Sequence, residues 1–239
     1  MLILSVDTSS STGSIAVLRD GTEIGVISTT SDETYSSRIF RQLEFLLAEL
    51  GLSLASFDLF AVNAGPGSFT GLRIGLTTAK AWADAFSNQV VPVSGLEAVA
   101  AESGANTEHV IPLIDARRGQ FYTGFYKQAR AAKGGQASLE RVEADAVMSP
   151  DEFRSWRLQT PERTAATLAT PNRSWLVSLL AANDDPAHYN QIREVSPVLA
   201  PIIGRLAYQK SQHGEAVDAL RLDANYVRRS DAELNWKGK

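Results

Sequence analysis

Two aspartates stand where a carboxylate can do chemistry. Asp7 closes the apolar run Leu2–Val6 and Asp115 closes the run His109–Ile114, each at the edge of a polar turn. A carboxylate at the end of a buried strand, beside a turn that offers hydroxyls and backbone N–H groups, suits the phosphates of a nucleotide and a hydrated Mg²⁺. Thr8, Ser9 and Ser10 supply such hydroxyls after Asp7, followed by Ser11 and Thr12. The same residues also make an ordinary Ser-rich turn that its aspartate caps, and the residue types leave both readings open.

A second stretch with the spacing of a functional loop is Ala64-Gly-Pro-Gly-Ser-Phe-Thr-Gly-Leu-Arg-Ile-Gly75. It joins the apolar run Leu59–Ala64 to helical spacing from Leu72 onward, so its glycines fall on a strand-to-helix turn. Gly65 and Gly67 permit close backbone approaches, and N–H groups at the start of the helix can receive an anion. It is not a Walker loop, because no Lys-Ser or Lys-Thr follows the glycines, and its spacing fails the dinucleotide fingerprint. A purely structural turn satisfies the same pattern.

Other chemistries find little support. The three histidines, 109, 188 and 213, form no His-x-x-x-His pair, and there is no cysteine, so no self-contained zinc or iron site is expected. Ser9, Ser10, Ser11 and Ser68 have no recognisable base beside them, so no catalytic residue is assigned. The formal net charge of −4 gives no basic footprint for autonomous nucleic-acid binding. With 44% hydrophobic and 21% charged residues over 239 positions, the chain has the composition of a soluble globular protein of one or two domains. No leader peptide or membrane span is expected, and the absence of cysteine fits a cytoplasmic setting.

The elements that position these residues follow from periodicity. Strands are expected at Leu2–Val6, Ser14–Leu18 and Glu23–Ser28, the last two joined by a tight primed turn at Asp20-Gly21. A helix from Ser36 to Leu50 ends at Gly51. Its stripe Ile39, Leu43, Leu46, Leu47, Leu50 is widened by Phe40 and Phe45, as in a helix covered both by its own sheet and by a partner, or simply buried within the chain. Strand Leu59–Ala64, helix Leu72–Ser87, strand Val90–Val93 and a short helix at 96–101 complete a first half. At His109 the order begins again, with strands at 109–114, 121–126 and 139–144 and a helix opened by Ser149-Pro150-Asp151-Glu152. Helices are expected at 172–182 and 198–212. The recurrence of a strand-ending aspartate after about 108 residues implies a duplicated βββαβα unit, hence an α/β fold of two similar lobes, residues 1–105 and 106–239.

This order, begun twice, resembles the actin, sugar kinase and Hsp70 superfamily, with Val6-Asp-Thr-Ser-Ser10 similar to its first phosphate loop. Within it, the stretch bearing Gly65, Pro66, Gly67, Ser68, Phe69, Thr70, Gly71, Arg73 and Gly75 resembles the hallmark of the TsaB, or YeaZ, family. Val6–Ser9, Asp115-Ala-Arg-Arg-Gly-Gln-Phe-Tyr122 and Asn225-Tyr-Val-Arg228 agree as well. Members commonly carry His-Ser where this chain has Tyr35-Ser36. The resemblance implies a non-catalytic partner of TsaD in making threonylcarbamoyladenosine at position 37 of bacterial tRNA, with the ATPase TsaE as third member. It further implies a TsaD heterodimer, or a homodimer when alone, contacting through Ile39, Phe40, Leu43, Leu47, Leu72 and Leu76. tRNA would be met only through the complex, and ATP or ADP with Mg, if bound by Asp7, Thr8, Ser9, Ser10 and Asp115, would lie at the partner interface. The alternative expectation is an ATP-dependent small-molecule kinase of the same superfamily.

Overall fold

The structure, a computed structural model, describes residues 1–31, 35–129, 138–181 and 192–228. In chain order its elements are β1 (Leu2–Asp7), β2 (Thr12–Arg19), β3 (Thr22–Thr30), α1 (Tyr35–Leu50), β4 (Leu59–Gly65), α2 (Phe69–Phe86), β5 (Gln89–Ser94), α3 (Gly95–Glu102), β6 (His109–Arg117), β7 (Gln120–Ala129) and β8 (Ser138–Met148), followed by α4 (Pro150–Arg157), α5 (Pro161–Ala165), β9 (Thr167–Thr170), α6 (Arg173–Ala181), β10 (Ile192–Glu194) and α7 (Ala200–Gln212). The chain divides into two compact units, Met1–Ala98 with Val198–Asn225, and Val99–Pro197 with Tyr226–Lys239.

In the first unit the strand order is β3-β2-β1-β4-β5, with β1 antiparallel to β2 and parallel to β4. Every residue of β1 is buried, as expected of a central strand covered on both faces. Leu2, Leu4 and Val6 join Ile39, Leu43, Leu46 and Leu47 of α1 and Leu72, Leu76 and Trp82 of α2 in one core. The opposite face meets α7: the Ser5 hydroxyl donates to the Ala200 carbonyl at 2.7 Å, and Gly204 lets α7 close on Leu18. Asp20 and Gly21 both have positive φ, the primed turn that carries β2 into β3.

The second unit repeats this topology. Its order β10-β9-β6-β7-β8 has β6 in the centre, antiparallel to β7 and parallel to β9, so the duplication is complete at the level of strands. The copy is degenerate in length, since β9 has four residues and β10 three. Phe121 meets Phe153 edge-on at 5.1 Å, and Leu176 and Leu180 of α6 close the same core. Ser149 and Glu152 form the expected capping box at the start of α4.

Three expectations are corrected. Helix α2 starts at Phe69 rather than Leu72, with Ser68 as its cap. Residues Val198–Asn225 pack with the first unit rather than with the second lobe, because α7 covers the outer face of the first sheet. The strands β9 and β10 were absent from the expected pattern. The connection at 130–137, the Asn183–Pro186 loop and His188 lie outside the described residues.

Candidate functional site

The site in the first unit is built by two turns that interlock. Asp7 is fully buried at the end of β1, and its Oδ1 accepts from the Ser9 backbone N–H at 2.9 Å and from Asn63 Nδ2 at 3.0 Å. Asn63 also donates to Ser9 Oγ at 3.0 Å, and its own Oδ1 accepts from the Gly65 N–H at 2.9 Å. Among the described residues Asp7 Oδ2 has no partner. Burial pushes the Asp7 carboxyl above its ordinary value of 3.8, and the bonds from Ser9 and Asn63 offset this only in part.

The glycines of the hallmark serve this packing. A Cβ on Gly67 would lie 2.6 Å from Ser9 Cβ, one on Gly71 would lie 1.9 Å from the Thr8 carbonyl oxygen, and one on Gly75 would lie 2.5 Å from Thr8 Oγ1. The Gly71 contact, and a second of 2.8 Å from Gly67 to the Ser9 carbonyl oxygen, are with backbone that cannot turn aside, so these glycines let α2 and the turn before it rest on the β1–β2 turn. The Thr8 hydroxyl donates to the Gly71 carbonyl at 2.7 Å, and the Ser68 N–H donates to the Ser9 carbonyl at 2.7 Å. Ser68 Oγ accepts from the Gly71 N–H, satisfying one of the donors at the helix start. Gly65, at φ 113° before the cis Pro66, faces the Asn225 backbone, whose N–H donates to the Ala64 carbonyl at 2.7 Å. Arg73 stacks over the Phe69 ring at 3.8 Å, and Thr70 is exposed.

Of the residues expected to meet a nucleotide, Thr8 and Ser9 are therefore buried and engaged within the chain. Ser10 is exposed, its hydroxyl donating to the Thr12 carbonyl at 3.0 Å. A phosphate held by the Thr8 or Ser9 hydroxyl would have to displace those bonds.

Asp115 sits at the equivalent place in the second unit. Its Oδ1 accepts from the Arg117 N–H at 2.7 Å, the same two-residue reach that joins Asp7 to Ser9, and Arg117 Nη1 lies 3.4 Å from its Oδ2. Here the side chain is partly exposed, and the turn is cationic instead of hydroxyl-rich. Arg228 braces it by donating to the Ala116 carbonyl and to Gln120 Oε1. The C-terminal motif is thus held by the Asn225 backbone and by Arg228, and Tyr226 is 42% exposed.

At the start of α1, the Tyr35 ring occupies the space beside Gly13, where a Cβ would lie 1.5 Å from the Tyr35 oxygen. Burial, against the pull of Arg38, raises the phenol to about 12, so it stays neutral. Arg38 is buried under that ring, 4.1 Å from its centroid, and donates to Thr29 Oγ1 at 2.7 Å.

The remaining sequence candidates concern the partner surface. Ile39, Leu43, Leu47, Leu72 and Leu76 are all buried in the first unit's own core, so they do not form an exposed face. Phe40, by contrast, is 60% exposed, and so is Phe45. The stripe was the core side of α1; the residues lying off it face outward. Asn63 was missed altogether, although a lone amide inside the apolar run Leu59–Ala64 was a signal of a buried polar bond.

Two sheets of one topology, whose central strands carry Asp7 and Asp115 at corresponding places, define an α/β protein built from two copies of one unit. The model of the TsaD family, tRNA N6-adenosine threonylcarbamoyltransferase, matches residues 14–171. The tRNA threonylcarbamoyladenosine biosynthesis protein TsaB of Bacillus subtilis is 31% identical, over 99% of this chain and 98% of its own. The protein of that name from Haemophilus influenzae is 28% identical over 99% and 96%. YeaZ from Pseudomonas aeruginosa, at 24% identity, superposes with a TM-score of 0.74 over 94% of this chain and 99% of its own, which shows a shared fold. The chain belongs to the TsaB family of threonylcarbamoyladenosine biosynthesis.

Proposed function

We propose that this protein is a non-catalytic scaffold subunit in the synthesis of threonylcarbamoyladenosine at position 37 of bacterial tRNA, acting in the cytoplasm by binding TsaD. The observation that carries this role is the pair Phe40 and Phe45, each 60% exposed on a helix whose other side is core. The two lie about 140° apart around α1, one at each border of its core stripe, and exposed aromatics of this size fit a protein–protein contact better than solvent. TsaE joins the TsaD-bound form, and the same face pairs two copies when TsaD is absent. Any nucleotide belongs to the surface shared with the partner, since the Thr8 hydroxyl is engaged by Gly71 of α2 and the Ser9 hydroxyl by Asn63 of β4.

The deciding experiment is co-purification with the cognate TsaD, together with mass-spectrometric measurement of the modified nucleoside in tRNA after depletion. Stable association and a fall in modification are expected. Normal modification without the protein would contradict the role.

A further inference from the structure

We infer that the β6–β7 hairpin, through Arg117 and Arg118, is a contact for the phosphodiester backbone of an RNA; this rests on the proposed role in tRNA modification. The hairpin is unusual in its chemistry. Arg118 (φ 57°) and Gly119 (φ 70°) occupy the two central positions of a primed turn, and Arg117 (φ 64°) sits beside them at a bulge. Asparagine and glycine are the residues that suit such positions, and a branched or long L side chain there is strained. Two successive arginines in the left-handed region are therefore kept against the local preference of the backbone. Strain of this kind points to side chains that are needed where they stand.

Both arginines are exposed, the Arg117 side chain by 85%, and among the described residues a Cβ on Gly119 would meet nothing within 4 Å. Arg228 adds a third guanidinium at the base, tied to Ala116 and Gln120, and Asp115 accepts from the Arg117 N–H. The Tyr122 phenol close by is raised by burial and adds no charge at neutral pH. Arginine's planar fork matches phosphate oxygens in pairs. A small nucleotide calls for an enclosing concave site, whereas a polymer backbone is met by exposed guanidinium groups on a projecting tip. The overall charge of −4 accords with one contact among several supplied by an assembly, rather than with a self-sufficient RNA binder.

The test is fluorescence anisotropy of an unmodified transcript of the cognate tRNA, titrated with the full chain alone and with the chain assembled with its TsaD. The double variant Arg117→Asn/Arg118→Asn places at both positions a residue that tolerates positive φ, so it should retain the wild-type circular dichroism and melting temperature. In the assembly, the double variant is expected to bind the transcript about tenfold more weakly, with a log-affinity against log-salt slope shallower by about two. Unchanged affinity and slope would overturn the inference, as would the absence of tRNA binding by the wild-type assembly. Loss of ATP binding by calorimetry with tRNA binding intact would also overturn it, assigning the hairpin to a nucleotide. Failure to bind TsaD, or normal modification in depleted cells, would instead strike the scaffold role, whatever the anisotropy shows.

Discussion

Gly71 and Thr8 are defined as a pair by an atom that is missing. A Cβ on Gly71 would lie 1.9 Å from the Thr8 carbonyl oxygen, while the Thr8 hydroxyl donates to the Gly71 carbonyl at 2.7 Å. The most recognisable stretch of this sequence thus serves to lay a helix on a turn.

Gly71→Ala is therefore expected to destabilise the protein by about 3 kcal/mol, since the obstacle is backbone and the helix must move away. Gly51→Ala is the control: it has φ 63° but nothing within 4 Å, so strain alone should lower stability by about 1 kcal/mol. Urea denaturation of both variants makes the comparison. Equal losses would mean that α2 is not pinned to the turn.

Asp7 should make stability fall as pH rises. Its folded value is raised above 3.8, so the native state holds the proton where the unfolded chain has released it, and stability declines from about pH 4 up through the folded value. Asp7→Asn keeps an acceptor for the Ser9 N–H and removes the buried charge. Melting temperatures measured from pH 4 to 8 should show the variant gaining on the wild type as pH increases; a difference that does not change with pH would contradict the buried carboxylate.

On α1, two positions about two turns apart should respond in opposite ways. Phe40→Asp places a carboxylate at a 60% exposed position and should leave the fold intact while weakening association with TsaD. Leu47→Asp buries an unpaired charge in the core, which costs several kcal/mol, roughly, and should unfold the first unit. Size-exclusion chromatography with circular dichroism separates these outcomes. A folded Leu47→Asp protein would place that residue on the surface after all.

Much of this was readable from local pattern. An apolar run ended by aspartate, twice, announced both first strands, and Asp20-Gly21 announced its turn, because each signal lies within a few residues of what it determines. The apolar stripe of α1 was equally visible, but periodicity says which residues share a face and not what covers it, so core leucines were read as partner contacts. Strands of four and three residues, at Thr167–Thr170 and Ile192–Glu194, are too short to show a period. The return of α7 to the first sheet depends on Ser5 and Ala200, far apart in the chain, which no local window sees. The left-handed arginines were invisible for a different reason, since their residue type argues against that conformation.

The scaffold role meets its most direct test in cells depleted of the protein and supplied with variants, with threonylcarbamoyladenosine in tRNA quantified by mass spectrometry. Asp7→Asn and Asp115→Asn should restore modification, whereas Phe40→Asp combined with Phe45→Asp should not. Restoration by the aromatic variant, together with failure of a folded aspartate variant, would contradict the scaffold role and mark a catalyst instead.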